Sequence, residues 1–165
     1  MCDKITLVLH RDYPDQLCSI ANSLEVIGER WSLLIEAIDE ADRSSLAHEQ
    51  KLGTVAGFII DSYRYDPELM KVIIVEVTRA ANSFGRTHLQ EINRAYELIA
   101  KIVADGQRSG MFRKDIDPAF AAMVFYGAIE QLLSGWIFDV IPGSDRDFDE
   151  ARELIVKTIC EGLQR

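Results

Sequence analysis

A chain of 165 residues has room for one domain with a substantial core, and its net charge of −9, from 27 acidic against 18 basic residues, gives no surface suited to neutralising nucleic-acid phosphates at large. Its longest apolar runs, such as 72–75, are too short to span a bilayer, and residues 1–9 lack the long apolar region of a signal peptide before His10-Arg11-Asp12 interrupts them. Cys2, Cys18 and Cys160 are odd in number and widely spaced, which argues against a disulfide framework or a zinc site and for reduced thiols in a cytoplasmic protein with no membrane partner.

In chain order, Ile5 to Leu9 alternates like a short strand, but nothing else reads as a sheet to pair with it. Ser44 or Ser45 is expected to open a helix over 44–63 with Leu46, Leu52, Val55, Ala56, Ile59 and Ile60 on its apolar face. Asp66-Pro67 starts the next, over 67–82, with Leu69, Met70, Ile73, Ile74, Val77 and Ala80 at helical spacing. After a break near Ser83-Phe84-Gly85, Thr87 and Gln90 stand at capping-box spacing and open a helix over 87–105. Gly106 and Gly110 offer the left-handed conformation that closes it. Asp117 and Pro118 are N-cap and first residue of a helix over 118–139 that is apolar nearly all round, and Pro142-Gly143 stops it. Ser144 and Asp147 cap a last helix over 144–163 with Phe148, Leu154, Ile155, Ile159 and Leu163 inward. The pattern predicts an all-α, antiparallel helical bundle.

The junction and its surroundings carry a resemblance. Ile102-Val103-Ala104-Asp105-Gly106, Gly110-Met111-Phe112-Arg113, Asp115-Ile116-Asp117-Pro118, Ala121-Ala122 and Phe125-Tyr126-Gly127-Ala128-Ile129-Glu130 together resemble the C-terminal half of a TetR-type transcriptional regulator. Asp66-Pro67-Glu68-Leu69, running into Val75-Glu76-Val77-Thr78-Arg79-Ala80-Ala81, is similar to the preceding helix of the same domain. The resemblance covers about residues 44–163. It implies a regulatory bundle that binds a small effector and dimerises through its last two helices.

Residues 1–43 read differently. Cys18-Ser19-Ile20-Ala21 and the string from Leu24 through Gly28-Glu29-Arg30-Trp31 to Ile35 resemble the first helices of an HxlR-type winged-helix regulator, over about 13–35. No recognition helix or wing follows, and no TetR-type helix-turn-helix precedes Ser44. The expected organisation is therefore an N-terminal helical segment, 1–43, with an incomplete DNA-binding-like fragment, and a ligand-binding and dimerisation domain, 44–165.

No catalytic constellation appears. His10, His48 and His88 are too dispersed for a metal or catalytic cluster, and there is no Gly-x-Ser-x-Gly elbow, Walker A or GxGxxG. Asp145, Asp147, Asp149 and Glu150 lack the glycine and spaced glutamate of a calcium loop and suit a helix N-terminus. The chain is read as a non-enzyme without metal or cofactor. Polar groups interleaved in apolar helices, with aromatic and methionine side chains among them, suggest an apolar pocket with a few orienting groups. The candidates are Phe58, Ser62, Thr78, Tyr96, Met123 and Tyr126. Plain core packing is the competing reading for each of them.

The small residues of 118–139 and its scarcity of polar surface suggest pairing, with the last helix, across a two-fold axis. Ala122, Ile129, Leu133, Trp136, Ile155 and Ile159 are the candidate interface of a homodimer. The resulting expectation is the ligand-sensing and dimerisation module of a TetR-type regulator, binding an apolar small-molecule effector. DNA would be bound only weakly, with Arg11 and Arg30 the first residues to suspect, or through a head missing from this chain. The alternative is a helical protein that sequesters a small molecule or a protein without binding DNA.

Overall fold

Five α-helices form the molecule: α1 (Pro14–Arg43), α2 (His48–Tyr65), α3 (Leu89–Arg108), α4 (Pro118–Ile137) and α5 (Asp145–Leu163). The computed structural model describes residues 14–71, 74 and 89–163, of which 67–71 are also helical. No strand occurs among the described residues, so the fold is the expected all-α bundle. The alternating run 5–9, the break at 83–85 and Thr87 lie outside the described residues.

Local side-chain chemistry sets most helix ends. Asp117 accepts a hydrogen bond from the Phe120 amide at 2.9 Å, with Pro118 filling the first helical position. Asp66 does the same for the Leu69 amide at 3.0 Å, so both Asp-Pro pairs act as helix starts. Ser144 and Asp147 cap reciprocally: the Ser144 amide donates to Asp147 Oδ2 at 2.8 Å and the Asp147 amide to Ser144 Oγ at 3.4 Å.

Three boundaries differ from expectation. Ser44 closes α1 rather than opening α2, because its hydroxyl donates to the Ala41 carbonyl at 2.7 Å; α2 begins four residues later. Helix α3 runs through Gly106 to Arg108 and ends in a left-handed turn at Gly110, φ 82°. There the Met111 amide donates to the Gly106 carbonyl at 3.0 Å and the Gly110 amide to the Gln107 carbonyl at 3.2 Å. Helix α4 ends at Ile137 in the same type of turn, with Asp139 at φ 53° in the glycine position. The Val140 amide donates to the Gly135 carbonyl at 2.8 Å, and the Asp139 amide to the Trp136 carbonyl at 3.2 Å.

The most extensive helix pairing is α3 on α4, followed by α1 on α3, α2 on α5 and α1 on α2. One core serves them all: Trp31, Leu34, Ile38 and Ala41 of α1 are buried with Leu52, Val55 and Ile60 of α2, Ile99 and Ile102 of α3, and Phe125, Ile129 and Leu133 of α4. The expected boundary at 43/44 thus falls in a turn within one core and does not separate two packing units. Phe112, fully buried, plugs the α3–α4 junction. Gln107 fastens that junction, its amide donating to the Arg113 carbonyl at 2.8 Å and the Ile116 carbonyl at 2.7 Å.

Helix α4 is, among the described residues, the one helix long and apolar enough to cross a membrane by length and composition alone, with mean hydropathy 1.3. Its face bearing Ala122, Phe125, Ile129, Leu133 and Trp136 is instead committed to the bundle core.

Candidate ligand cleft

Two helices present the same short pattern to a shared space. Arg30, Trp31 and Leu34 of α1 and Phe58, Ile59 and Ser62 of α2 stand at i, i+1 and i+4, a spacing that puts three side chains on one strip of helix surface. Met70 and Tyr126 complete the walls of a cleft with about 40 Å³ of free space. That space is far smaller than the several hundred Å³ of a drug-sized pocket.

The wall is mainly apolar. Ser62 donates its hydroxyl to the Phe58 carbonyl at 2.8 Å, so its donor is spent within α2 while its oxygen remains an acceptor. Trp31 stacks on Tyr126 with ring centroids 6.1 Å apart. Tyr96 meets the other side of Tyr126 edge-on at 5.3 Å. Burial raises the Tyr126 hydroxyl well above its ordinary pKa, with the Glu130 carboxylate and then Tyr96 adding to the effect. Tyr96 is raised by burial and then by Glu130. Glu130 itself, one turn on from Tyr126, is raised by burial. Both tyrosines therefore stay neutral hydrogen-bonding groups at physiological pH.

Of the expected site residues, Phe58, Ser62 and Tyr126 line this cleft. Tyr96 stands one layer behind Tyr126. Thr78 lies outside the described residues. Met123 is not among the residues lining this cleft: it is 62% exposed, because each residue advances about 100° around a helix and Met123 falls well off the buried strip of Ala122, Phe125 and Ile129.

Of the expected interface residues, Ala122, Ile129, Leu133 and Trp136 are buried in the protomer's own core. Ile155 and Ile159 are half-buried against the same core. The exposed apolar side chains of α4 are Phe120, Met123 and Val124, on the side opposite the core, and α5 exposes Leu154. Gly127 shares that outer side of α4, and a Cβ added there would meet nothing within 4 Å.

Arg30, Trp31, Leu34, Ile59 and Met70 are cleft residues that sequence reasoning missed. The 30/31/34 spacing is visible in the sequence, but the HxlR-type resemblance assigns that stretch to a different kind of domain. Arg30, suspected as a DNA contact, stands in the cleft wall instead, and Arg11 lies outside the described residues.

Comparison with known proteins gives the context. The C-terminal region of YsiA-like proteins, a TetR-type family, matches residues 27–158. The fold is similar to that of the fatty acid degradation regulator FadR from Bacillus halodurans, with TM-score 0.73 at 14% identity over 86% of this chain and 75% of that one. It is equally similar to the transcriptional regulator FadR from Bacillus subtilis in complex with stearoyl-CoA, with TM-score 0.74 at 15% identity and the same two coverages. A protein of unknown function from Rhodococcus sp. RHA1 follows, with TM-score 0.66 at 17% identity over 87% and 73%. No curated protein matches the chain in sequence. The family match begins at residue 27, inside α1, and so takes in residues 27–35 of the stretch that resembles an HxlR-type regulator; nothing in the comparisons supports that second resemblance.

Proposed function

Since the chain belongs to the TetR-type regulators through their YsiA-like C-terminal region, we propose that it is the sensing and dimerising module of such a regulator, with the cleft between α1, α2 and α4 as its effector site. The observation that carries this reading is the cleft itself: an apolar space with Arg30, Tyr126 and Ser62 among its lining residues, where three helices meet. The complex of the Bacillus subtilis neighbour with stearoyl-CoA supports an effector with an apolar body. An effector that fits one arrangement of α1 against α2 and α4 better than another shifts the population between them, and any DNA-binding element coupled to α1 follows.

The dimer in this reading uses the outer side of α4. Phe120, Met123 and Val124 are exposed there, and Gly127 allows a close approach by a second helix. Leu154, Ile155 and Ile159 of α5 flank it in the proposed interface.

A specific observation favours weak DNA binding by this chain alone. Arg43, Arg94, Lys101, Arg108, Arg113 and Lys157 each pair with a carboxylate, so six of the described cations are already compensated on an acidic molecule. This leaves the sequestering function as the second reading.

Thermal-shift screening against short and long aliphatic acids, acyl thioesters and aromatic acids tests the sensor. A bound effector at a hundred times its Kd is expected to add about 2.7 kcal/mol of stability. Phe58→Trp, which fills the cleft, is expected to abolish the shift in a chain that still folds. Absence of any shift across the panel would refute the sensor reading. Salt-dependent association with duplex DNA separates the regulator from the sequestering protein.

A further inference from the structure

The cleft wall carries one cation and no carboxylate. Arg30 has no ion-pair partner among the described residues, although the chain has 27 acidic side chains and Arg43, Arg94, Lys101, Arg108, Arg113 and Lys157 each have one. Glu130, whose charge bears on Tyr126 and Tyr96, is not among the residues lining the cleft and makes no ion pair with Arg30 among the described residues. The Arg30 side chain is half-buried beside Trp31 and Leu34. A guanidinium held against apolar walls is stabilised by an anion that binds through two parallel hydrogen bonds.

Size and charge narrow the anion. About 40 Å³ of free space accommodates roughly three water-sized groups. A single cation on a molecule of net charge −9 suits a ligand with one negative charge and disfavours one with several. We infer that the cleft selects a short-chain monocarboxylate, with Arg30 as the residue that fixes its carboxylate and Trp31, Leu34, Phe58, Ile59 and Met70 as the surface for its alkyl body. The inference rests on the cleft being the effector site. It departs from the long acyl thioester held by the Bacillus subtilis neighbour, whose nucleotide phosphates would require further cations.

Titration calorimetry on the full chain tests this with propionate, propan-1-ol, propanamide and propionyl-CoA. Propionate is expected to bind at least about tenfold more tightly than the alcohol or the amide. Arg30→Gln is expected to remove that preference by weakening propionate alone, and Arg30→Lys to restore part of it. Circular dichroism and melting temperature establish that both variants fold. Equal affinity for acid and alcohol, or an Arg30→Gln chain that keeps its propionate affinity, would overturn the carboxylate assignment while leaving the cleft as an apolar effector site. Tighter binding of propionyl-CoA than of propionate would overturn the single-charge argument. Binding of none of the four, with no response to the wider panel, would remove the effector site and this inference together.

Discussion

Trp31 of α1 stacks on Tyr126 of α4, with planes inclined by 27°, and joins two helices that make little other contact. One wall of the cleft is therefore also the joint between those helices, so cleft occupancy and helix position are coupled by construction. A double-mutant cycle with Trp31→Leu and Tyr126→Leu, read by urea unfolding, is expected to give a coupling of about 0.5–1.5 kcal/mol. Strict additivity would mean that the two rings are merely neighbours.

Gly106 lies inside α3, where alanine would ordinarily gain up to about 1 kcal/mol. Here a Cβ would stand 2.3 Å from Phe112 Cδ2, and that ring is fully buried with no room to retreat. Gly106→Ala is expected to destabilise by a net ~1–2 kcal/mol, because overpacking outweighs propensity. A rise in melting temperature would show that the Phe112 plug is loose.

Asp139 holds a left-handed conformation that costs a side-chain-bearing residue about 1 kcal/mol. Asp139→Gly is expected to stabilise by about 0.5–1 kcal/mol in chemical denaturation. It also has a spectroscopic consequence. Burial raises the Tyr63 pKa and the Asp139 carboxylate adds to it, so ultraviolet titration of the variant is expected to show Tyr63 ionising at lower pH than in the parent chain. An unchanged Tyr63 titration would place the two groups too far apart to interact.

Glu130 gives the pH dependence a definite sign. Its carboxyl holds the proton more tightly in the fold than in the unfolded chain, because burial penalises the charged form. The stability it contributes is complete below the unfolded pKa of about 4.3 and is lost as pH rises through the higher folded value. Glu130→Gln, neutral throughout, is expected to match the parent at low pH and exceed it in melting temperature near neutrality. A difference that is constant from pH 4 to 8 would contradict this.

The assembly prediction concerns α4. An obligate dimer on its outer side is expected to bury on the order of 2,000 Å². Phe120→Glu combined with Met123→Glu is expected to shift sedimentation from dimer to monomer without altering the circular dichroism spectrum. Ligand affinity in the cleft should survive, since Met123 is not among the residues lining it. A parent chain that is monomeric at micromolar concentration would exclude the dimer.

The helix ends were the part most legible in the sequence, and the reason is physical. Asp117, Asp66 and Ser144 act through hydrogen bonds to amides three residues away, so their effect is written locally. Ser44 was ambiguous because one hydroxyl can accept from the helix it precedes or donate to the helix it follows, and here it donates. Helix α4 exposed the limit of pattern reading. A helix apolar on nearly every side carries no signal of which side is buried, so Met123 was placed inward and Ala122, Ile129, Leu133 and Trp136 outward. Phe58, Ser62 and Tyr126 were identifiable as polar and aromatic groups set among aliphatic neighbours. Arg30 was not, because its place in the cleft wall depends on how α1 packs against α2 and α4.

The uninterrupted length of α1 has a mechanical consequence. Its 30 residues make one rod, gripped at Trp31, Leu34, Ile38 and Ala41 by the core. From Trp31 to Pro14 the lever arm is about 25 Å at 1.5 Å per residue. A wedge in the cleft that tilts the rod by about 5° therefore swings its far end by about 2 Å, by the same helix geometry. The cleft sits at the fulcrum, where a ligand of a few atoms has the greatest purchase on the motion of everything attached beyond Pro14.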